Sequence, residues 1–165
     1  MPGLTSRSPA GVVESERRGP LAGLTVVEVG DFIAAPYAAR CFGDLGADVI
    51  KVEPPGGDSS RRHGPFLHDV PDPEASGLYL LLNTNKLGVT LSLSEATGRA
   101  RFGTLLARAD VLIENVGLDP AETLALHPRL IHVSLSCFGR RSPWSGWRGH
   151  ALQAAAAGGA CAVIG

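Results

Sequence analysis

Few residues of this chain have the chemistry of a catalyst, and a histidine is the most versatile of them. His150 precedes an alanine-rich segment, where a neutral imidazole could remove or return a proton near pH 7. Such a base works with a second acid–base group. A lone histidine at a helix start also serves as a cap or a packing residue, so both roles stay open for His150.

A second polar group lies within residues 54–77, which are rich in Pro, Gly, Asp and Ser. Arg61, Arg62 and His63 could bind a phosphate or a carboxylate through charge-assisted hydrogen bonds. A solvated charge cluster explains the same three residues. No helix or strand pattern fits residues 54–77, so we predict a long loop, and loops of this length in compact domains are often functional.

Composition narrows the class of protein. The formal net charge of −1 argues against nucleic-acid binding, whose affinity comes mainly from cations that neutralise phosphates. No apolar run approaches the length that spans a membrane, and no secretory signal is recognisable. Three widely spaced cysteines predict neither a disulfide framework nor a metal site. We therefore expect a cytoplasmic protein with no metal and no permanently bound cofactor.

The N-terminal residues differ in character from the rest of the chain. Residues 1–19 combine Pro, Gly, Ser and Arg with little periodic apolar content, which predicts a flexible leader. An organelle-targeting peptide is the alternative, but Glu14 and Glu16 weaken it because such peptides avoid acidic residues. The whole chain is 44% apolar, which suffices for one domain with a core over residues 20–165.

The elements that must position these groups begin with a strand–helix–strand pattern. Leu24–Val29 and Asp48–Val52 are apolar runs rich in β-branched residues, which favours buried strands. Pro36 suits the first turn of an intervening helix, and Gly46 suits its end. This βαβ length predicts parallel strands joined by a right-handed crossover. The helix is predicted to bury one apolar face: Tyr37, Ala38, Cys41, Phe42 and Leu45.

The same alternation continues along the chain. Further strands are predicted over Leu87–Leu93, Asp110–Glu114 and Leu130–Leu135. We therefore predict an α/β fold, an open, parallel, Rossmann-like sheet with helices on both faces. The predicted helices are Leu78–Leu82, Thr97–Ala107, Pro120–Leu126 and Ala151–Ala157.

A dinucleotide-binding domain is disfavoured by the turn after the first strand. That turn would need G-x-G-x-x-G, which lets the backbone approach a pyrophosphate, but residues 30–35 read GDFIAA with one glycine. Without the glycines, we discount Glu53 as a ribose-binding acid. Trp144 and Trp147 lie among arginines and could stack an adenine, or they could cover the edge of a core.

Several blocks of sequence resemble one known family. In order they are residues 21–58 (beginning LAGLTVVEVGDFIAAPYAARCFGDLGADVIKVE), LNTNK at 82–86, ADVLIEN at 109–115, HPRLIHVSLSCFG at 127–139 and RGH at 148–150. Together they resemble the class III CoA-transferases (the CaiB/BaiF family), which include formyl-CoA transferase and α-methylacyl-CoA racemase.

The resemblance implies an activity and a limit. Family members move CoA between an acyl-CoA and a carboxylic acid, through an aspartate that attacks the thioester. That aspartate falls in a Gly-Asp segment beyond Gly165, so the domain at 20–165 is predicted to be truncated and inactive by itself. Two alternatives stay open: a non-catalytic relative that binds CoA or a partner, and a fragment of an acyl-CoA racemase in which His150 is the family's histidine.

The resemblance also implies which residues contact coenzyme A. Two basic residues of the family have no counterpart here, since Pro54 replaces one and the segment after Asn115 is short; Lys86, Arg61 or Arg62 could compensate. We expect a homo-oligomer or association with a full-length relative, because family members are interlocked dimers. The implied CoA contacts are Asp31, Phe32, Ile33, Ala34, Leu91, Ser92, Leu93, Ser94, Asn115, Val116 and Gly117.

Overall fold

The computed structural model describes residues 19–164, which form one parallel sheet of five strands. The strand order is β3-β2-β1-β4-β5, so the first strand lies at the centre. The predicted open parallel α/β sheet is confirmed. The strands are β1 (Thr25–Val29), β2 (Asp48–Glu53), β3 (Lys86–Thr90), β4 (Val111–Glu114) and β5 (Ile131–Ser134).

Helices connect the strands and lie on both faces of the sheet, as predicted. Their chemistry explains their ends: Ser76 and Asp119 accept hydrogen bonds from backbone N–H groups at the starts of the second and fourth helices. The helices are α1 (Ala34–Asp44), α2 (Gly77–Leu82), α3 (Ala96–Leu106), α4 (Pro120–Leu126), α5 (Ala151–Ala157) and α6 (Ala160–Ile164).

The segment predicted as a structureless loop contains two short 3-10 turns, Ser59–Arg62 and Leu67–Asp69. The first begins at Asp58, whose side chain accepts from the Ser60 amide at 2.8 Å. The sequence did not predict these turns, because 3-10 turns are short and have no apolar periodicity.

The core is divided by the sheet into two clusters. Val26 packs with residues of α1 on one face, while its neighbour Val27 packs with residues of α3 on the other. This alternation follows from the period of two along a strand, and it explains why the central strands are apolar on both sides.

The face that α1 buries differs from the predicted one. Ala35, Ala39 and Gly43 face the sheet, whereas Tyr37 is 57% exposed and Leu45 is also exposed. Small residues spaced four apart let the helix backbone approach the strands closely, so the large apolar residues are displaced to the flank and outer side. The predicted face was therefore wrong for Tyr37, Cys41 and Leu45, which are exposed, whereas Ala38 and Phe42 are partly buried and do pack against the core.

The predicted leader, residues 1–19, lies outside the described residues except for Gly19. Gly19 packs against the backbone of Leu45, where an added Cβ would meet the Leu45 carbonyl oxygen at 2.2 Å. The boundary between leader and domain therefore stays a prediction.

Two glycines of α3 give a matched test of the packing. An added Cβ at Gly98 would lie 1.9 Å from the Ser92 carbonyl oxygen, whereas one at Gly103 meets nothing within 4 Å. We expect Gly98→Ala to lower the free energy of unfolding by about 2 kcal/mol or more. Gly103→Ala should raise it by up to about 1 kcal/mol, because alanine is the better helix former. Urea denaturation of both variants checks this, and equal effects would contradict the packing.

Candidate functional site

The candidate site lies at the edge of the sheet where the parallel strands end. The chain runs from β1 outward to β3 on one side and then crosses to β4 and β5 on the other. The topological switch point therefore lies between β1 and β4, and open α/β sheets bind ligands outside the carboxyl ends of the strands at such a point.

Two predicted residues meet at this switch point. The Asp31 amide donates to Asn115 Oδ1 at 2.8 Å, and Asn115 Nδ2 donates to the Asp31 carbonyl oxygen at 2.8 Å. The Asp31 carboxylate accepts from the amide and the hydroxyl of Ser59, at 2.7 and 2.8 Å. Both side chains thus join strand ends to each other, which leaves them less capacity to bind a ligand directly.

The turn after β1 presents apolar side chains to solvent beside this pair. Phe32 has a positive φ of 66°, a left-handed conformation that costs a non-glycine residue on the order of 1 kcal/mol. Its ring is 38% exposed and lies 4.9 Å from the ring of His63, centroid to centroid. Ile33 and Ala34 follow at the start of α1 and are also exposed.

A buried lysine lies directly under this turn. Lys51 is 1% exposed, and its Nζ contacts Glu28 Oε1 at 2.9 Å, Asp58 Oδ2 at 2.8 Å and the Gly30 carbonyl oxygen at 3.3 Å. An ammonium has three donors, so this one is fully satisfied. The other oxygen of Asp58 accepts from the amides of Phe32 (3.2 Å) and Ser60 (2.8 Å) and from the Ser60 hydroxyl (2.6 Å).

A second lysine completes the buried cluster. Lys86 Nζ donates to Glu28 Oε2 at 3.0 Å, to the Pro36 carbonyl oxygen at 2.7 Å and to Asn83 Oδ1 at 2.9 Å. Burial lowers the pKa of Lys86, although its pairing with Glu28 opposes that shift. Lys86 is thus committed to the interior, and the expectation that it could bind a phosphate of the ligand was wrong.

Glu53 ends β2 and is held by three groups. Arg61 donates to it twice, from Nε at 2.8 Å and Nη2 at 2.9 Å, the Tyr79 hydroxyl donates to Oε1, and the Asp58 amide donates to Oε2 at 3.0 Å. Burial raises the pKa of Glu53, but the hydrogen bonds from Arg61 and Tyr79 outweigh it and lower the pKa to about 2. Hydrogen bonding to Glu53 raises the pKa of Arg61, so this pair is ionised and Arg61 serves a carboxylate of the protein itself.

The loop after β4 is wound around Glu114. One oxygen of this buried carboxylate, Oε2, accepts from the amides of Val116 (2.9 Å), Gly117 (2.7 Å) and Leu118 (3.1 Å). The other oxygen faces Arg140 Nη1 at 3.3 Å and His132 Nε2 at 3.6 Å. Burial raises the pKa of Glu114, but hydrogen bonds from the Ser134 side chain and the Leu118 and Gly117 amides, with the Arg140 charge, leave it below its usual value.

The predicted contacts after β3 lie apart from the switch point, because β2 separates β3 from β1. The Leu91 side chain is buried in the core, and Ser92 Oγ lies 2.9 Å from Ser94 Oγ. Arg99 Nη1 donates to the carbonyl oxygens of Leu93 and Ser94, at 3.2 and 2.8 Å. A mostly apolar cavity of about 220 Å³ between α3 and α4 reaches this edge and is lined in part by Leu93, Arg99, Phe102 and Leu118.

The residues near the end of the described chain are the least enclosed. His150 precedes α5, and its backbone N–H donates to Gln153 Oε1 at 3.0 Å, as in a helix cap. Trp144 and Trp147 contact each other, with ring centroids 6.2 Å apart, and are 49% and 65% exposed. Neither tryptophan is sealed into the core within the described residues, so their role stays a prediction.

Two negative findings concern residues 19–164. Among them, no group of three or more His, Cys, Asp or Glu side chains is placed to hold a metal ion. No helix in the same range is long and apolar enough to cross a membrane.

The sequence reasoning missed the buried charges. Glu28 and Lys51 stand inside apolar runs predicted as buried strands, and they are register partners on β1 and β2. Charged residues are rarely buried unless they are paired, so opposite charges in two adjacent buried strands signalled a pair. Asp58 carried no such signal, because it lies in an irregular segment.

An α/β sheet with a turn and two loops fixed around its switch point is typical of a domain that binds a nucleotide-like ligand. The comparisons with known proteins are more specific. The family model of CoA-transferase family III matches residues 21–165. The chain belongs to this family.

The relatives are longer than this chain. It is 36% identical over 145 residues to the succinate–glutarate CoA-transferase of Agrobacterium fabrum, covering 81% of this chain and 36% of that protein. It is 39% identical over 132 residues to the succinyl-CoA:(R)-benzylsuccinate CoA-transferase subunit BbsE of Thauera aromatica, covering 75% and 32%. The crystal structure of a CaiB/BaiF family protein from Brucella suis is 34% identical with a TM-score of 0.76, covering 86% and 39%. The chain spans about a third of the length of these curated relatives.

The Glu53 pairing predicts how stability depends on pH. The folded-state pKa of about 2 lies below the ordinary value of 4.5, so the stabilisation is present above about pH 4.5 and is lost as the pH falls towards 2. We expect Glu53→Gln to remove about 2–3 kcal/mol of this pH-dependent stabilisation. Urea denaturation between pH 7 and pH 3 measures it. Exposed Glu122 provides a control, since Glu122→Gln should leave the pH profile unchanged; the same profile for wild type and Glu53→Gln would contradict the pairing.

Proposed function

We propose that the carboxyl edge of this sheet binds a CoA thioester, and that the whole protein transfers CoA between an acyl-CoA and a carboxylic acid. The observation that carries the proposal is the reciprocal hydrogen bonding of Asp31 and Asn115 at the switch point, beside a turn with exposed apolar side chains. Family membership supplies the ligand class, because the relatives are CoA-transferases for several different acids.

The predicted contact residues divide into two roles under this proposal. Phe32, Ile33 and Val116 are exposed and would contact the ligand through their side chains. Ala34 and Gly117 would contribute backbone. Asp31 and Asn115 would shape the edge, because their polar groups already bond to each other and to Ser59.

The loop after β3 is proposed to line the other side of the ligand. Leu93 borders the cavity between α3 and α4, and Ser92 and Ser94 follow the strand end at the surface. Leu91 would support this loop from the core. For the phosphates of CoA we favour exposed Arg62 over Arg61, because Arg61 is bound by Glu53.

Two alternative functions remain compatible with the structure. His150 at the start of α5 is compatible with the histidine of an acyl-CoA racemase, and its helix-cap hydrogen bond is compatible with a structural role. A relative that binds CoA or a partner without transferring CoA is the second alternative. That these 165 residues alone do not transfer CoA stays a prediction, as does a cytoplasmic location.

We propose in addition that copies of the chain associate, or that the chain pairs with a longer relative. On the edge strand β5, Ile131 is 61% exposed and Val133 is also exposed, on the face that α1 partly covers. Tyr37 and Leu45 of α1 are exposed as well. Apolar side chains beside an unpaired sheet edge favour association with a second chain.

Titration calorimetry separates the ligand classes. We expect heat from binding of CoA and acetyl-CoA and none from NAD, because the turn at residues 30–35 lacks the glycines that a dinucleotide requires. The variant Val116→Asp should weaken CoA binding at least tenfold, since it places a carboxylate beside an anionic ligand. Leu80→Asp, on the exposed side of α2, serves as the control, because Leu80 is not a proposed contact and does not line the cavity between α3 and α4. Binding of NAD but not CoA would overturn the proposal.

Sedimentation velocity tests the association. We expect a species of at least twice the 17.1 kDa chain mass at micromolar concentration. The double variant Ile131→Lys/Val133→Lys should shift the population towards monomer, while Leu126→Lys on the other face should not. A wild-type chain that sediments as a single monomer would contradict association between copies.

A further inference from the structure

We infer that Asp58 and Lys51 are positioning residues that hold the turn after β1 in its ligand-facing conformation. The inference rests on the proposed function, because it assigns these residues to the CoA-binding edge. It goes further because Lys51 and Asp58 are buried beneath the proposed contact residues and determine where those residues lie.

Lys51 connects the turn after β1 to the loop after β2. Its ammonium reaches the turn by two routes: directly, through the Gly30 carbonyl oxygen, and indirectly, through Asp58, which accepts from the Phe32 amide. The peptide groups on both sides of Asp31 are therefore tied to one buried charge. Lys51 comes from β2 and Asp58 from the loop after it, so these two contacts tie the turn to the neighbouring strand. They act beside Asn115, which ties the turn to the loop after β4.

The second step concerns the conformation that is held. Phe32 adopts a left-handed backbone without being glycine, and such a conformation persists only where surrounding contacts enforce it. The bond from the Phe32 amide to Asp58 Oδ1 is one contact that enforces it, and the bond from Asn115 Nδ2 to the Asp31 carbonyl oxygen holds the same peptide group. Gly30 leaves room for the cluster, since an added Cβ there would lie 2.6 Å from Glu28 Oε1.

The third step shows why a carboxylate is needed at position 58. Donors face both of its oxygens: Lys51 on Oδ2, and the amides of Phe32 and Ser60 on Oδ1. An asparagine has one acceptor oxygen and one NH₂ group, so its NH₂ group would face either Lys51 or the amides of Phe32 and Ser60, which are donors as well. Asp58→Asn preserves the shape of the side chain but removes its charge and one of its two acceptor oxygens, so it also lowers stability and requires a control of matched stability.

The experiment compares Asp58→Asn with a core variant of similar stability loss, Val111→Ala, at the amino end of β4. Each protein is studied well below its unfolding midpoint, by calorimetric titration with CoA and by amide hydrogen exchange read by NMR. We expect Asp58→Asn to weaken CoA binding at least tenfold and to speed exchange of the Phe32 amide at least tenfold. Val111→Ala should change neither the CoA affinity nor the Phe32 exchange rate by more than about twofold. If Asp58 contributed only to stability, the two variants would have equal effects.

The outcomes separate the two proposals. If wild type binds CoA and Asp58→Asn binds it equally well, the inference is overturned and the proposed function stands. If wild type does not bind CoA, the proposed function fails. Hydrogen exchange of the Phe32 amide tests the inference separately: an unchanged rate in Asp58→Asn would show that Asp58 does not hold the turn. Should Asp58→Asn not fold, Ser60→Ala removes one donor to Asp58 and is expected to weaken CoA binding two- to fivefold; wild-type affinity in that variant would overturn the inference.

Discussion

The edge of the sheet where we propose that coenzyme A binds is built over a buried lysine, Lys51. The Lys51 ammonium lies out of reach of solvent, and burying it without partners would cost several kcal/mol. Three acceptors from β1, the following turn and the loop after β2 remove that cost. Because Glu28 also pairs with Lys86, the cluster contains two carboxylates and two ammonium groups and is electrically balanced. The cluster ties β1, β2, β3 and the loop after β2 together through charge-assisted hydrogen bonds.

Hydrogen bonds around this cluster join the loops at the carboxyl edge of the sheet. The turn after β1 is joined to the loop after β2 through Asp58, and Asp31 adds two bonds to Ser59 in that loop. On its other side the turn is joined to the loop after β4 by Asn115. Three neighbouring strand ends, β2, β1 and β4, are thereby fixed around the switch point. A ligand that binds there meets a surface organised before binding, which limits the entropy lost on association.

The sequence predicted the sheet well because the signal for buried parallel strands is local. Apolar runs located all five strands within a few residues, and the short helix predicted over Pro120–Leu126 has the bounds of α4. The buried face of α1 was predicted wrongly, because Ala35, Ala39 and Gly43 allow a close approach that hydrophobicity alone does not reveal. The pairing of Asp31 with Asn115 joins residues 84 positions apart. No local pattern contains such a contact, since it depends on β1 and β4 becoming neighbours in the sheet.

The central claim is that coenzyme A binds where β1 and β4 end, on the surface that the buried lysine organises. Mapping amide chemical-shift changes by NMR while CoA is added to the labelled chain tests it most directly. The account predicts the largest changes at residues 31–34 and 115–117, with smaller ones at 91–94. Changes concentrated at the opposite edge of the sheet, at residues 46–47, 108–110 and 128–130, would contradict it.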